Sequence, residues 1–299
     1  MIDDGPTKPD FSAPVIIVGP GRSGTTLLDA ALGEHPDMYM IGETQFLVQR
    51  VWKTLWEFPG LVTYKSATKI AQQTRPEWKS LLWYTFWREV AVPENKSSQV
   101  RTLLTEVERA EYVRIARELG ASFARMLIPP PLRRRHWGMK EIWIGSDGFQ
   151  YSLDFYELAF PNARYLHSVR NPLTYLASNF NNKNVVATDD AAIHELKQWV
   201  QMTRYARTLA DTERYMEFRH EDFVGDGGRT AESVFAFVGL DLSQQCRRSL
   251  QVRHLPSCGP NSFLPRADAF CRVVPGLREE MEKLGYLGRT GEVGIRRSD

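Results

Sequence analysis

The chain has 299 residues, 42% hydrophobic and 25% charged, with a net charge of +2. This is the composition of a globular protein long enough for one large α/β domain or two small ones, and its charge balance excludes bulk nucleic-acid binding. Nowhere do 18 apolar residues run together, and Met1 to Asp10 is polar with three Asp, so neither a membrane span nor a signal peptide is expected. Cys246, Cys258 and Cys271 are odd in number and spaced unlike a zinc site, which predicts reduced thiols and a cytoplasmic location.

Residues 1–13 read as a loose tail. Val15 to Val18 is a continuous β-branched run, which predicts a strand buried on both faces of a parallel sheet. Gly19, Gly21 and Gly24 follow, then Leu27, Leu28, Ala31 and Leu32 at helical spacing. A strand, a glycine loop and a helix N-terminus form an anion cradle, because unpaired amides and the positive dipole end converge there. Ser23, Thr25 and Thr26 add hydroxyls and Arg22 adds a fixed positive fork, so the expected ligand is a phosphate or a sulfate relative. Gly19 and Gly24 sit in the register of a Walker A loop, but Thr25 stands where that motif needs lysine. No apolar run ending in Asp supplies a magnesium ligand either, and no metal is expected.

The first helix should stop near Gly33, before His35-Pro36. Met38 to Ile41 reads as a second strand that carries Glu43 at its carboxyl end, the edge where open α/β sheets bind ligands. Residues of about 50–130 turn helical and aromatic, with Trp52, Trp56, Trp78, Trp83 and Trp87 among them. These rings are either helical core or the lining of a lid over an acceptor. A helix is expected over Ala110 to Leu127, and Pro129-Pro130-Pro131 is a stiff spacer before Arg133-Arg134-Arg135. His136 to Glu141 reads as a strand, Phe149 to Ala159 as a helix and Arg164 to Val169 as a strand. Pro172 opens a helix with Ser178 on it, and Ala191 to Leu209 is a long amphipathic helix. Tyr215 to Phe218 is a late strand, and Val234 to Val238 ends a helix closed by Gly239. The stretch of about 246–299 is expected to be loop-rich, with a last helix near Val274 to Leu284. The alternation predicts a single α/β domain over 1–299, a P-loop-type parallel sheet flanked by helices with an inserted aromatic-rich helical cap.

Several segments together resemble the sulfotransferases that use 3′-phosphoadenosine-5′-phosphosulfate (PAPS). Gly21-Arg22-Ser23-Gly24-Thr25-Thr26-Leu27-Leu28 is similar to that family's 5′-phosphosulfate loop. Pro161-Asn162-Ala163-Arg164-Tyr165 leads into Arg170-Asn171-Pro172, which with Ser178 resembles the 3′-phosphate site. Trp137-Gly138-Met139-Lys140 resembles the segment bearing the lysine beside the transferred group. Glu221-Asp222-Phe223 and Phe235 to Leu240 are similar to two later family segments. The likeness leans to the tyrosylprotein and carbohydrate branch, since Glu43 follows Arg22 by 21 positions, the register of the glutamate base in tyrosylprotein sulfotransferases. Animal members of that branch are membrane-anchored, whereas no anchor is expected here. His220 stands where an adenine-side tyrosine is expected.

The resemblance implies transfer of a sulfuryl group from PAPS to a hydroxyl acceptor: a sugar, a small metabolite or a tyrosine. It implies Glu43, Lys140 and Arg22 as catalytic residues, and Gly21, Arg22, Ser23, Gly24, Thr25, Thr26, Arg170, Ser178 and His220 as the nucleotide site. In-line transfer of this kind depends on positioning and on positive charge, with a carboxylate or histidine to take the acceptor proton. His35 is the alternative base; beside Pro36 it also reads as a helix-end residue. Two other readings of the loop are a P-loop nucleotide kinase or NTPase, which would bind ATP with magnesium, and a non-catalytic adenosine-phosphate binding module. Oligomeric state is not legible.

Overall fold

The computed structural model describes residues 9–44, 106–142, 152–183, 188–210, 212–226, 228–253 and 263–287. The chain divides into two compact units, residues 1–44 with 117–299, and residues 45–116. The five tryptophans expected in the inserted cap lie outside the described residues.

The centre of the first unit is a five-stranded, all-parallel sheet: β1 (Val15–Val18), β2 (Met38–Glu43), β3 (His136–Glu141), β4 (Arg164–Val169) and β5 (Tyr215–Arg219). The order is β2-β3-β1-β4-β5, so β1 lies in the middle between β3 and β4. Val15 to Val18 are all buried, because a central strand of a parallel sheet is covered on both faces. The expected fold class therefore holds: a parallel α/β sheet flanked by helices.

Helix α1 (Thr25–Gly33) leaves β1 through the glycine loop, and its Leu28 and Leu32 are fully buried. They pack with Val15, Ile17 and Leu166 of the sheet and with Val234, Phe235 and Val238 of a later helix. Each such side chain contributes about 1.5–3 kcal/mol by leaving water. Between them come α2 (Glu106–Leu127), α3 (Ser152–Ala159), α4 (Pro172–Lys183) and α5 (Asp189–Ala206). The opposite face is closed by Leu173, Leu176, Leu196 and Trp199 of α4 and α5, around Val169. No helix among the described residues is long and apolar enough to cross a membrane.

Two expectations change. Residues 10–13, expected to be loose, are tied down: the Trp137 indole donates to the Asp10 carbonyl at 3.0 Å, and the Asn162 amide donates to Ser12 at 3.2 Å. After β5 come α6 (His220–Gly225), α7 (Arg229–Val238), α8 (Gln244–Arg253), α9 (Ala267–Val273) and α10 (Leu277–Lys283). The stretch after Cys246, expected to be loop-rich, is thus mostly helical where described. Its helices are short and Pro275-Gly276 interrupts them, so a long-window periodicity is lost. Phe270, Leu277, Met281 and Tyr286 are nonetheless buried in the core around α4 and α5.

Candidate active site

The loop 19–24 leaves the carboxyl end of β1 and turns into α1. Gly24 caps that helix at φ 86°, with no side-chain cap and no acidic residue in the first turn. A Cβ on Gly24 would lie 2.1 Å from Nδ1 of His220, so only glycine fits against that ring. Arg22 is the only described non-glycine residue with positive φ, at 68°, a conformation that costs about 1–2 kcal/mol and gathers at functional loops. Ser23 is fully buried, and its hydroxyl has no hydrogen-bond partner among the described residues. Its carbonyl accepts from Ser168 Oγ at 2.6 Å, which fixes the loop to β4. An uncapped helix start and an orphaned buried hydroxyl are what an anion would complete, so the loop fits a phosphate or phosphosulfate group.

On one side of the loop stand the residues expected at a 3′-phosphate. Arg22 donates from Nε to Ser178 Oγ of α4 at 3.2 Å. Arg170, just past β4, donates to the Arg22 carbonyl at 3.0 Å and to Thr174 Oγ1 at 3.2 Å. Two guanidiniums and a hydroxyl thus converge. Burial and the charge of Arg22 lower the Arg170 pKa, while Glu221 opposes them. Glu221 is held by the Asn171 amide at 2.9 Å and by the Tyr286 hydroxyl at 2.8 Å.

On the other side stand Glu43 and Lys140. Their strands are adjacent, and the Lys140 ammonium lies 3.3 Å from a Glu43 oxygen, with side-chain exposures of 8% and 30%. Lys140 also donates to Thr26 Oγ1 in the first turn of α1, at 3.2 Å. The structure therefore joins Glu43, Lys140 and the loop helix in one cluster. Thr25 is buried at the position where a Walker A loop has lysine. A lysine is brought to the loop from β3 instead.

His220 begins α6 and lies against Gly24. His35 is buried in the turn that leads from α1 into β2, its Nε2 3.2 Å from Asp241 and its Nδ1 accepting from the Asp37 amide at 3.1 Å. That is the opposite end of the strand from Glu43, ~16 Å away at about 3.3 Å per residue, so His35 serves the helix end. His167 is buried within β4 with Nδ1 2.6 Å from the Tyr215 hydroxyl and 3.1 Å from Glu217. Burial would push Glu217 up, but hydrogen bonds from His167 and Arg207 hold it at about 2.

Sequence reasoning missed Glu141. It is 1% exposed; its carboxyl accepts from Thr44 Oγ1 and from the Tyr156 hydroxyl, the latter at 2.6 Å. Burial raises its pKa to about 7, with the nearby Glu43 charge adding to the rise against those two hydrogen bonds. The signal was available: a carboxylate directly after Lys140 in a buried strand must face the other layer. A cavity of about 590 Å³ lies along β5, lined by Arg219, Asp222, Arg229 and Lys283 among others. It includes no residue of the loop 19–24.

The parallel sheet thus carries a glycine loop after its central strand, with a carboxylate and a lysine on one side of it and the Arg22 and Arg170 guanidiniums on the other. Among the described residues no cluster of His, Cys, Asp or Glu is suited to a metal. The sulfotransferase family model matches residues 14–244, and the chain belongs to the sulfotransferase family. The sulfotransferase domain of the curacin biosynthetic pathway is similar in structure, with a TM-score of 0.51 and 14% identity over 92% of this chain and 98% of that one. Sulfotransferase STF9 from Mycobacterium avium gives a TM-score of 0.50 and 15% identity, covering 92% of this chain and 77% of that one. The sulfotransferase domain of the Synechococcus PCC 7002 olefin synthase is 20% identical over 91% of this chain and 88% of that one, with a TM-score of 0.48. No curated protein matches the sequence.

Proposed function

We propose that the protein transfers a sulfuryl group from PAPS to a hydroxyl-bearing acceptor, with Glu43 as general base. The observation that carries this is the Glu43–Lys140–Thr26 cluster on one side of a loop whose other side is Arg22, Arg170 and Ser178. PAPS supplies the activated sulfuryl group and leaves as the 3′,5′-bisphosphate. The amides of Gly21 to Thr26, the Ser23 hydroxyl and the start of α1 hold the 5′ side. Arg170, Ser178 and Arg22 hold the 3′-phosphate. His220 steadies the loop through Gly24 and borders the nucleotide.

A hydroxyl is too weakly acidic to ionise alone near neutral pH, so its proton must leave as the bond to sulfur forms. Glu43 is exposed enough to meet an acceptor and is oriented by its pairing with Lys140. When Glu43 takes the proton its charge is cancelled. The Lys140 ammonium, until then paired, is released to stabilise charge that builds on the sulfonyl oxygens and the leaving phosphate. This exchange couples proton removal to electrostatic help. The base register favours the tyrosylprotein and carbohydrate branch, and a sugar or small-metabolite hydroxyl is the acceptor class in this reading. The sparse, odd set of cysteines supports a reducing, cytoplasmic compartment.

Incubation with sulfur-labelled PAPS and acceptor pools tests the reading. Label should move to an acceptor, and Glu43→Gln should cost roughly 10²–10⁴ in rate while still binding 3′-phosphoadenosine-5′-phosphate. Lys140→Ala should lower turnover more than nucleotide binding. A Glu43→Gln protein that turns over within a few-fold of the parent removes Glu43 as the base.

A further inference from the structure

The rung that presents Glu43 to the loop is irregular. Met40 pairs with Gly138, yet the next pair is Glu43 with Lys140, so β2 spends three steps where β3 spends two. One extra residue is inserted, and Gly42 takes it up at φ 84°. Without this bulge Gly42 would stand opposite Lys140, and the Glu43 side chain would turn to the other face of the sheet. The ladder does not by itself hold such a rung, because a bulge interrupts the regular hydrogen bonding.

The hold comes from the far face. Glu43 and Thr44 are consecutive, as are Lys140 and Glu141, so each pair splits between the two layers. On the loop side Glu43 meets Lys140 at 3.3 Å. On the other side Thr44 Oγ1 donates to Glu141, and the Tyr156 hydroxyl of α3 donates to the same oxygen at 2.6 Å. All three side chains are buried: Thr44 is 2%, Glu141 1% and Tyr156 0% exposed. A buried carboxyl is costly to keep and is not needed to fill this layer, where Trp137, Met139 and Phe160 pack.

We propose that Thr44, Glu141 and Tyr156 are positioning residues that lock the β2 bulge, and so set Glu43 beside Lys140 for the reaction. None of them touches substrate; they act through the strand that carries the base. The effect on rate rests on the reading of Glu43 as general base, but the effect on geometry does not.

The test therefore has two readouts. Crystal structures of Thr44→Val and Glu141→Leu are compared with those of Thr44→Ser and Glu141→Gln, which keep the donor and the acceptor. PAPS turnover is followed as release of 3′-phosphoadenosine-5′-phosphate with phenol or water as the acceptor, both too weakly acidic to ionise alone near neutral pH, in the parent and in the Glu43→Gln background. The apolar variants should part Glu43 from Lys140 and lower turnover by on the order of tenfold to a hundredfold, the usual cost of a misplacement near 1 Å. Binding of 3′-phosphoadenosine-5′-phosphate should stay within about twofold, as the loop is not involved. The conservative variants should keep both geometry and rate. In the Glu43→Gln background Thr44→Val should cost nothing further. Should one apolar variant fail to fold, the other and the Thr44→Ser comparison decide. An unchanged Glu43–Lys140 distance in the folded apolar variants overturns the proposal, whatever the turnover. A rate loss that adds in full to that of Glu43→Gln overturns it as well. A parent that neither binds 3′-phosphoadenosine-5′-phosphate nor releases it from PAPS overturns the functional reading alone.

Discussion

Glu141 makes a stability prediction whose sign and size are set by its surroundings. Burial raises its carboxyl from the ordinary value of 4.5 to about 7. At a pH between those values the folded chain keeps the proton and the unfolded chain has lost it. The folded state then binds more protons, so stability must fall as pH rises through this window. Below about 4.5 both states are protonated and the residue contributes nothing; above about 7 its full penalty is present. The gap corresponds to about 3 kcal/mol at full ionisation, of which roughly 2.5 kcal/mol develops between about pH 5 and about pH 8. Glu141→Gln keeps an acceptor for Thr44 and Tyr156 but cannot ionise. Urea unfolding of parent and variant at those two pH values reports on the residue, because groups that do not sense the Glu141 charge cancel in the difference. The variant should gain roughly 2.5 kcal/mol on the parent between the low and the high pH. A difference that does not change with pH would refute a buried carboxyl that titrates late.

Glu217 moves the opposite way. Held at about 2 against an ordinary 4.5, it contributes stability above about 4.5 that is lost as pH falls toward 2, so Glu217→Gln should flatten the acid limb of a denaturation profile. Arg170→Ala should weaken binding of 3′-phosphoadenosine-5′-phosphate by about 2–5 kcal/mol in calorimetry and leave adenosine-5′-phosphosulfate nearly unchanged; equal losses would remove Arg170 from the 3′-phosphate. Gly24→Ala should abolish nucleotide binding, because the new Cβ would lie 2.1 Å from the His220 ring at a left-handed φ; His220→Ala in the same chain should restore part of it.

The elements that carry the site were legible because each has a local signature. Val15 to Val18 is a buried strand by its own composition, and the glycines after it announce a loop. Glu43 and Lys140 were each legible singly, and the resemblance suggested that they serve one site. Their ion pair was not legible, since it depends on β2 and β3 being neighbours although nearly a hundred residues separate them in sequence. The bulge at Gly42 was invisible for the same reason: an inserted residue shows only against its partner strand. Arg22 was expected both among the catalytic groups and in the nucleotide site; its contact with Ser178, 156 positions away in sequence, was legible only through the resemblance. Glu141 was hidden because its neighbour Lys140 drew the reading of that strand to one face alone. The helices after Cys246 were hidden by their shortness and by Pro275-Gly276.

The central claim is that the glycine loop, Arg170 and Ser178 form one site for a 3′-phosphorylated adenosine nucleotide. A thermal-shift titration of the intact protein with 3′-phosphoadenosine-5′-phosphate, set against ATP plus magnesium, tests it most directly, because a ligand bound only by the folded state raises its melting temperature. The bisphosphate should raise the transition in a saturable way without metal, and ATP with magnesium should shift it far less. Stabilisation by ATP that depends on magnesium, with none from the bisphosphate, would contradict the assignment.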